Sequence, residues 1–186
     1  MSGAETYRLF VAIYPPADFV IAAMNRLAQI ALPEHRPTPP EQVHMTLQFV
    51  GDAPARELPT IRESVERAAA GIRAFELTTL RFITLPARGP ARLVAVETDA
   101  PPSLRELQRR LAIRLARNAR ERAGERFLPH LTLARFRGAG TPGVRVAQAA
   151  SLAAFRVEAV LLMKSVLSAG GAWHRELARL PLNLEP

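Results

Sequence analysis

One order of elements occurs twice in this chain and constrains most of what it can fold into. An apolar strand leads to Pro-Pro, then an amphipathic helix, then a second apolar strand that carries His-x-Thr. The first copy reads Phe10-Val11-Ala12-Ile13, Pro15-Pro16, a helix, and His44-Met45-Thr46. The second reads Val94-Ala95-Val96, Pro101-Pro102, a helix, and His130-Leu131-Thr132. The two histidines stand about half the chain apart. This order implies an internal duplication and an α+β fold. We expect one two-lobed domain over residues 1–186, with roughly one His-x-Thr motif per lobe. Each lobe is expected to be a mainly antiparallel sheet, with helices on its outer side and a central cleft between the sheets.

The individual segments follow from periodicity. Tyr7 to Tyr14 is rich in β-branched and aromatic residues and reads as a strand. Ala17 to Ile30 and Pro54 to Gly71 have helical apolar stripes. Leu32 to Gln42 holds four prolines and reads as a loop. Phe75 to Leu85 and Arg92 to Thr98 read as strands around a Pro86–Pro90 turn. Ser103 to about Ala123 reads as a third helix, with Ser103 as N-cap and Glu106 three residues on. Leu104, Leu107, Leu111 and Leu115 form its buried stripe, and its many arginines form a solvated face. Gly124 is expected to end it. Gly138 to Gly143 reads as a loop, and Phe155 to Leu167 and Trp173 to Leu182 as strands around a Ser168–Gly171 turn.

Within a strand, residues i and i+2 share a face. His44 and Thr46 therefore point one way while Met45 and Leu47 point into a core. His130 and Thr132 behave alike, backed by Leu131 and Leu133. A lone strand histidine is usually structural. The same polar pair in the same phase of two matching strands points to chemistry. One neutral imidazole can take a proton from water, and one imidazolium can protonate a leaving oxygen. Threonine hydroxyls can hold phosphate oxygens, and the fork of Arg135 suits phosphate. This set fits cleavage of a phosphodiester. Neither motif contains Asp or Glu, and no H-E-x-x-H occurs, so a metal centre lacks ligands. No G-x-S-x-G elbow supports a serine triad.

Composition narrows the setting. There is no cysteine, hence no disulfide and no thiolate nucleophile. The N-terminus lacks the pattern of a signal peptide, and no apolar run approaches a membrane span. A cytoplasmic monomer is expected. The net charge of +8 favours an anionic partner. Lys164 is the only lysine among 25 basic residues, however, so compositional bias toward arginine accounts for part of this.

The paired motifs resemble those of the two-histidine phosphoesterase superfamily, and in particular its RNA 2′,3′-cyclic phosphodiesterase branch, also called 2′-5′ RNA ligase. The resemblance is carried by Arg8-Leu9-Phe10-Val11-Ala12-Ile13, Val43-His44-Met45-Thr46-Leu47 and Pro129-His130-Leu131-Thr132-Leu133-Ala134-Arg135. Leu162-Met163-Lys164-Ser165 and Gly170-Gly171-Ala172 add to it. The resemblance implies opening of 2′,3′-cyclic phosphate ends on RNA, tRNA-like fragments included, to 2′-phosphates. His44 would be the proton donor and His130 the proton acceptor. Thr46 and Thr132 would bind phosphate oxygens, Arg135 would neutralise them, and no metal or other cofactor would be needed. Reversal would join a 5′-hydroxyl end in a 2′-5′ linkage. Alternatives are a phosphodiesterase for small cyclic nucleotides or 2′-5′ oligonucleotides, and a non-catalytic RNA-binding module.

Some positions fit less simply. Arg135 and Phe49 both lie five residues after their histidine, in phase with the buried leucines, so they reach the cleft only if the strands bend. Phe49 is a candidate for stacking on a base. His174, where relatives often carry Tyr, reads as a strand-end residue. His35 reads as an exposed loop residue, and Gln48 departs from the family pattern.

Overall fold

The computed structural model describes residues 5–116, 127–138, 140–168 and 171–184. Eleven strands and three α-helices follow in the order β1 (Thr6–Ile13), α1 (Ala17–Leu27), β2 (His35–Pro37), β3 (Met45–Pro54), α2 (Leu58–Ala69), β4 (Phe75–Leu77), β5 (Thr79–Leu85), β6 (Leu93–Thr98), α3 (Pro102–Leu115), β7 (His130–Phe136), β8 (Ala147–Ala149), β9 (Phe155–Val157), β10 (Ala159–Ser168) and β11 (Gly171–Pro181) among the described residues. One sheet has the order β11-β10-β1-β3 and the other β2-β7-β6-β5-β8, with β4 and β9 forming a small ribbon. Every strand pair is antiparallel. The α+β architecture expected from the alternation of apolar strands and helices is therefore present. Each His-x-Thr strand pairs with the strand that opens its own unit, β3 with β1 and β7 with β6.

A core cluster runs along one face of each sheet. Leu9, Val11 and Ile13 of β1 and Leu131 and Leu133 of β7 belong to it, together with Phe19, Val20, Ala23 and Leu27 of α1. The stripe foreseen on α3 is there too: Leu104, Leu107 and Leu111 are fully buried. A second, smaller cluster of Phe10, Ala12, Leu161 and Met163 lies on the other face of the first sheet, with Tyr14 against it. β1 is thus buried on both sides. That explains its nearly continuous apolar run in place of an alternating pattern.

Several expectations need correcting. The Pro-rich stretch from Leu32 to Gln42 contains β2, an edge strand on β7. Pro37 is compatible with an edge, where no ladder donor is required of it. Pro101, not Ser103, occupies the N-cap of α3, and no side chain caps that end. Pro102 takes the first helical position, where its missing N–H costs nothing. Glu106 instead binds Arg109 and Arg110 at 2.7–2.8 Å. The stretch Phe75–Leu85 divides at Thr78, whose N–H donates to the Asp99 carboxylate at 2.9 Å, so that β4 leaves to pair with β9. The third helix, expected to run to about Ala123, ends at Leu115, because Ala116 turns to an extended backbone with ψ 127°. Arg117, Arg120, Gly124 and the centre of the Ser168–Gly171 turn lie outside the described residues.

Candidate active site

A strand's strict alternation would turn Arg135 and Phe49 into the core. The structure breaks that alternation at the same place in both motifs. Ala12 pairs with Thr46 and Val11 with Gln48, so Leu47 has no partner. Ala95 pairs with Thr132 and Val94 with Ala134, so Leu133 has none. Each is a β-bulge directly after His-x-Thr, and an extra residue in one strand shifts the phase of everything beyond it. Two consecutive side chains then face inward, Leu47 with Gln48 and Leu133 with Ala134, all buried. Phe49 and Arg135 emerge on the face of the histidines, and Phe49 is 63% exposed. The condition attached to both residues is met in this way. Gln48 donates its side-chain amide to the Phe49 carbonyl at 2.8 Å.

His44, Thr46, Phe49, His130, Thr132 and Arg135 line one cleft of about 1000 Å³. The two imidazoles are anchored alike. His44 Nδ1–H donates to the Gln42 carbonyl at 2.6 Å, and His130 Nδ1–H donates to the Leu128 carbonyl at 2.8 Å. A carbonyl can only accept, so the proton on each Nδ1 is fixed and Nε2 is left for chemistry. His35 makes the same bond to Pro33 at 2.7 Å. The bond by itself therefore marks no function; its pairing across one cleft does.

The surroundings of the two rings differ. His44 stacks on Tyr14 at 5.2 Å, tilts against Phe10 at 5.1 Å, and meets His174 edge-on at 4.9 Å. Burial in this aromatic box pushes its pKa down from 6.5 to about 4, against the upward pull of the Gln42 carbonyl. The charges of His174, Arg135 and His130 press in the same downward direction. His174 is itself lowered by burial and is hydrogen-bonded through Nδ1 to Tyr14 Oη at 3.1 Å. The expectation for His174 is thus corrected: it lies within β11, in the cleft wall, because β11 pairs with β10 and β10 with β1. Burial also raises the Tyr14 phenol, which keeps its proton.

Sequence reasoning missed Arg8, Arg36 and Ser165 in this wall, and Tyr14 behind it against His44 and His174. Arg8, Arg36 and Arg135 are its cations, and among the described lining residues there is no Asp or Glu. The cleft is built for an anion. Among the described residues no group of three His, Cys, Asp or Glu side chains converges as a protein-held metal ion requires. No helix among them is long and apolar enough to cross a membrane.

Comparison with known proteins agrees with this geometry. The family pattern described as the 2′-5′ RNA ligase superfamily matches residues 15–167. A Thermus thermophilus protein named RNA 2′,3′-cyclic phosphodiesterase is 29% identical over 192 residues, covering 96% of this chain and 91% of that protein. A Methanothermobacter thermautotrophicus protein of the same name is 26% identical over 143 residues, covering 74% of this chain and 77% of its own length. The crystal structure of E. coli LigT in apo form superposes with a TM-score of 0.79 at 25% identity, covering 96% of this chain and 98% of that one. With residues 15–167 inside the family's pattern and both His-x-Thr strands opening on one cleft, the chain belongs to the 2′-5′ RNA ligase superfamily.

Proposed function

We propose that this protein hydrolyses 2′,3′-cyclic phosphate ends of RNA to 2′-phosphomonoesters by metal-independent acid–base catalysis. The observation that carries this reading is the pair of imidazoles on one cleft whose described lining holds no carboxylate, each with Nδ1 tied to the backbone and a threonine two residues on. In the proposed reaction, Nε2 of His130 takes a proton from water as the water oxygen bonds to phosphorus. The bond from phosphorus to the 3′ oxygen breaks, and His44 delivers its Nε2 proton to that oxygen. Solvent exchange then restores both rings. The Thr46 and Thr132 hydroxyls bind the non-bridging oxygens, and Arg135 offsets the charge that builds on them. Phe49, exposed beside Phe10 at 6.5 Å between ring centroids, offers a surface for a base. With a 5′-hydroxyl RNA end in place of water, His130 deprotonates that hydroxyl, the 3′ oxygen again leaves with the His44 proton, and a 2′-5′ linkage results.

His44 donates only when charged, and its box favours the neutral ring. The substrate supplies the remedy: a phosphodiester anion at the cleft pulls the imidazole back toward protonation. The two sites thereby differ in role although their backbone anchors are the same.

The test is an RNA oligonucleotide ending in a 2′,3′-cyclic phosphate, incubated with EDTA. Release of a 2′-phosphate end is expected. A 3′-phosphate product refutes the direction of cleavage, and loss of turnover on chelation refutes metal independence. Faster turnover of small cyclic nucleotides or 2′-5′ oligonucleotides than of RNA ends would favour the alternative substrates.

A further inference from the structure

Two arginines stand opposite one another in the outermost ladder of the second sheet. Arg36 of β2 pairs directly with Arg135 of β7. Directly opposed residues bring their Cβ atoms within about 4.5–5.5 Å, and like charges there weaken strand pairing. The fold tolerates this on an edge strand of only three residues. Both arginines line the cleft, whose described walls carry no carboxylate. An anion seated beside them meets two guanidinium groups, whose planar forks suit phosphate oxygens.

The two arginines are not equivalent. The charge of Arg135 is felt by His44, so Arg135 belongs to the phosphate being cleaved. Arg36 is exposed and lies one strand farther out, about 4.8 Å away in the ladder direction. On the first sheet Phe49 pairs with Phe10 and offers an aromatic surface, and Arg8 of β1 also lines the cleft. A nucleotide chain presents both bases and phosphates to such a lining.

We propose that Arg36, standing beside Arg135, forms a second phosphate subsite that holds the internucleotide phosphate next to the cyclic end, so that the cleft selects oligoribonucleotides over single nucleotides. The proposal rests on the function proposed above and names its substrate class.

The experiment compares a nucleoside 2′,3′-cyclic monophosphate with a dinucleotide ending in the same cyclic phosphate. Arg36→Gln is expected to lower kcat/KM for the dinucleotide at least tenfold more than for the mononucleotide. It should also flatten the salt dependence of the dinucleotide reaction by about 0.7 in logarithmic slope, the usual value for one single-strand phosphate contact. Arg36→Lys, which keeps the charge, should retain that slope. Equal losses on both substrates, or an unchanged slope in Arg36→Gln, overturn the subsite. Equilibrium binding of a dinucleotide bearing a 2′-phosphate end, measured against a nucleoside 2′-monophosphate, needs no turnover. Arg36→Gln must weaken the first at least tenfold more than the second, and equal weakening also overturns the subsite. Wild-type protein that turns over neither cyclic substrate would refute the proposed reaction, while these binding measurements still decide on the subsite.

Discussion

Binding of a phosphate anion should recharge His44. With a pKa of about 4, roughly one imidazole in 10³ is protonated at pH 7. A unit negative charge about 4 Å from the ring contributes about 4 kcal/mol at an effective dielectric of 20. That is about 3 pKa units, which returns the ring to the neighbourhood of pH 7. The assay is an NMR titration of the His44 imidazole, alone and with a saturating nucleoside 2′-monophosphate. Calorimetry of the same binding in buffers of different ionisation heat should show uptake of close to one proton near pH 6. A bound-state pKa that stays below about 5 would refute the reasoning. His44 could not then be the donor, and the acid would have to be sought at His130.

Four further outcomes follow from the structure. His44→Ala and His130→Ala should each reduce kcat on the cyclic end by about 10²–10⁴, the usual worth of a positioned acid or base; an unchanged rate in either removes that residue from its role. Folding should weaken in acid, because a histidine whose folded pKa is depressed contributes stability that is complete above about pH 6.5 and lost as pH falls toward about 4. His44→Gln should remove up to about 3 kcal/mol of this acid sensitivity, read from urea midpoints at pH 7 and pH 4.5. Gly140→Ala should cost more than about 1 kcal/mol, since Gly140 has φ +104° and a Cβ there would lie 2.7 Å from the Ala91 carbonyl oxygen. Leu107→Ala, at a fully buried position of α3, should cost about 2–5 kcal/mol in chemical denaturation.

What could be read from sequence was what is encoded locally. The period-two phase of His44 with Thr46, and of His130 with Thr132, needs only the strand itself. The duplicated order of elements needs only their succession. The stripe of Leu104, Leu107 and Leu111 needs only helical spacing. What could not be read depends on partners distant in the chain. The bulges at Leu47 and Leu133 exist only relative to β1 and β6, so the phase of Phe49 and Arg135 stayed conditional. Arg36 looked like loop because its strand is three residues long and its ladder comes from β7, far along the chain. His174 reaches His44 only because β10 pairs with β1 and brings β11 into the same sheet. Ser103 lost the cap of α3 to a neighbouring proline, a competition the capping pattern alone does not register.

The identical backbone tethers on the two rings have a consequence for redesign. Since Gln42 and Leu128 hold the imidazoles in the same tautomer, nothing in the histidines themselves dictates which one gives and which one takes. What separates the rings is their neighbours: Phe10, Tyr14 and His174 crowd one of them. Opening that enclosure would let the His44 pKa climb back toward 6.5, so the ring would hold its proton to higher pH with both tethers left in place.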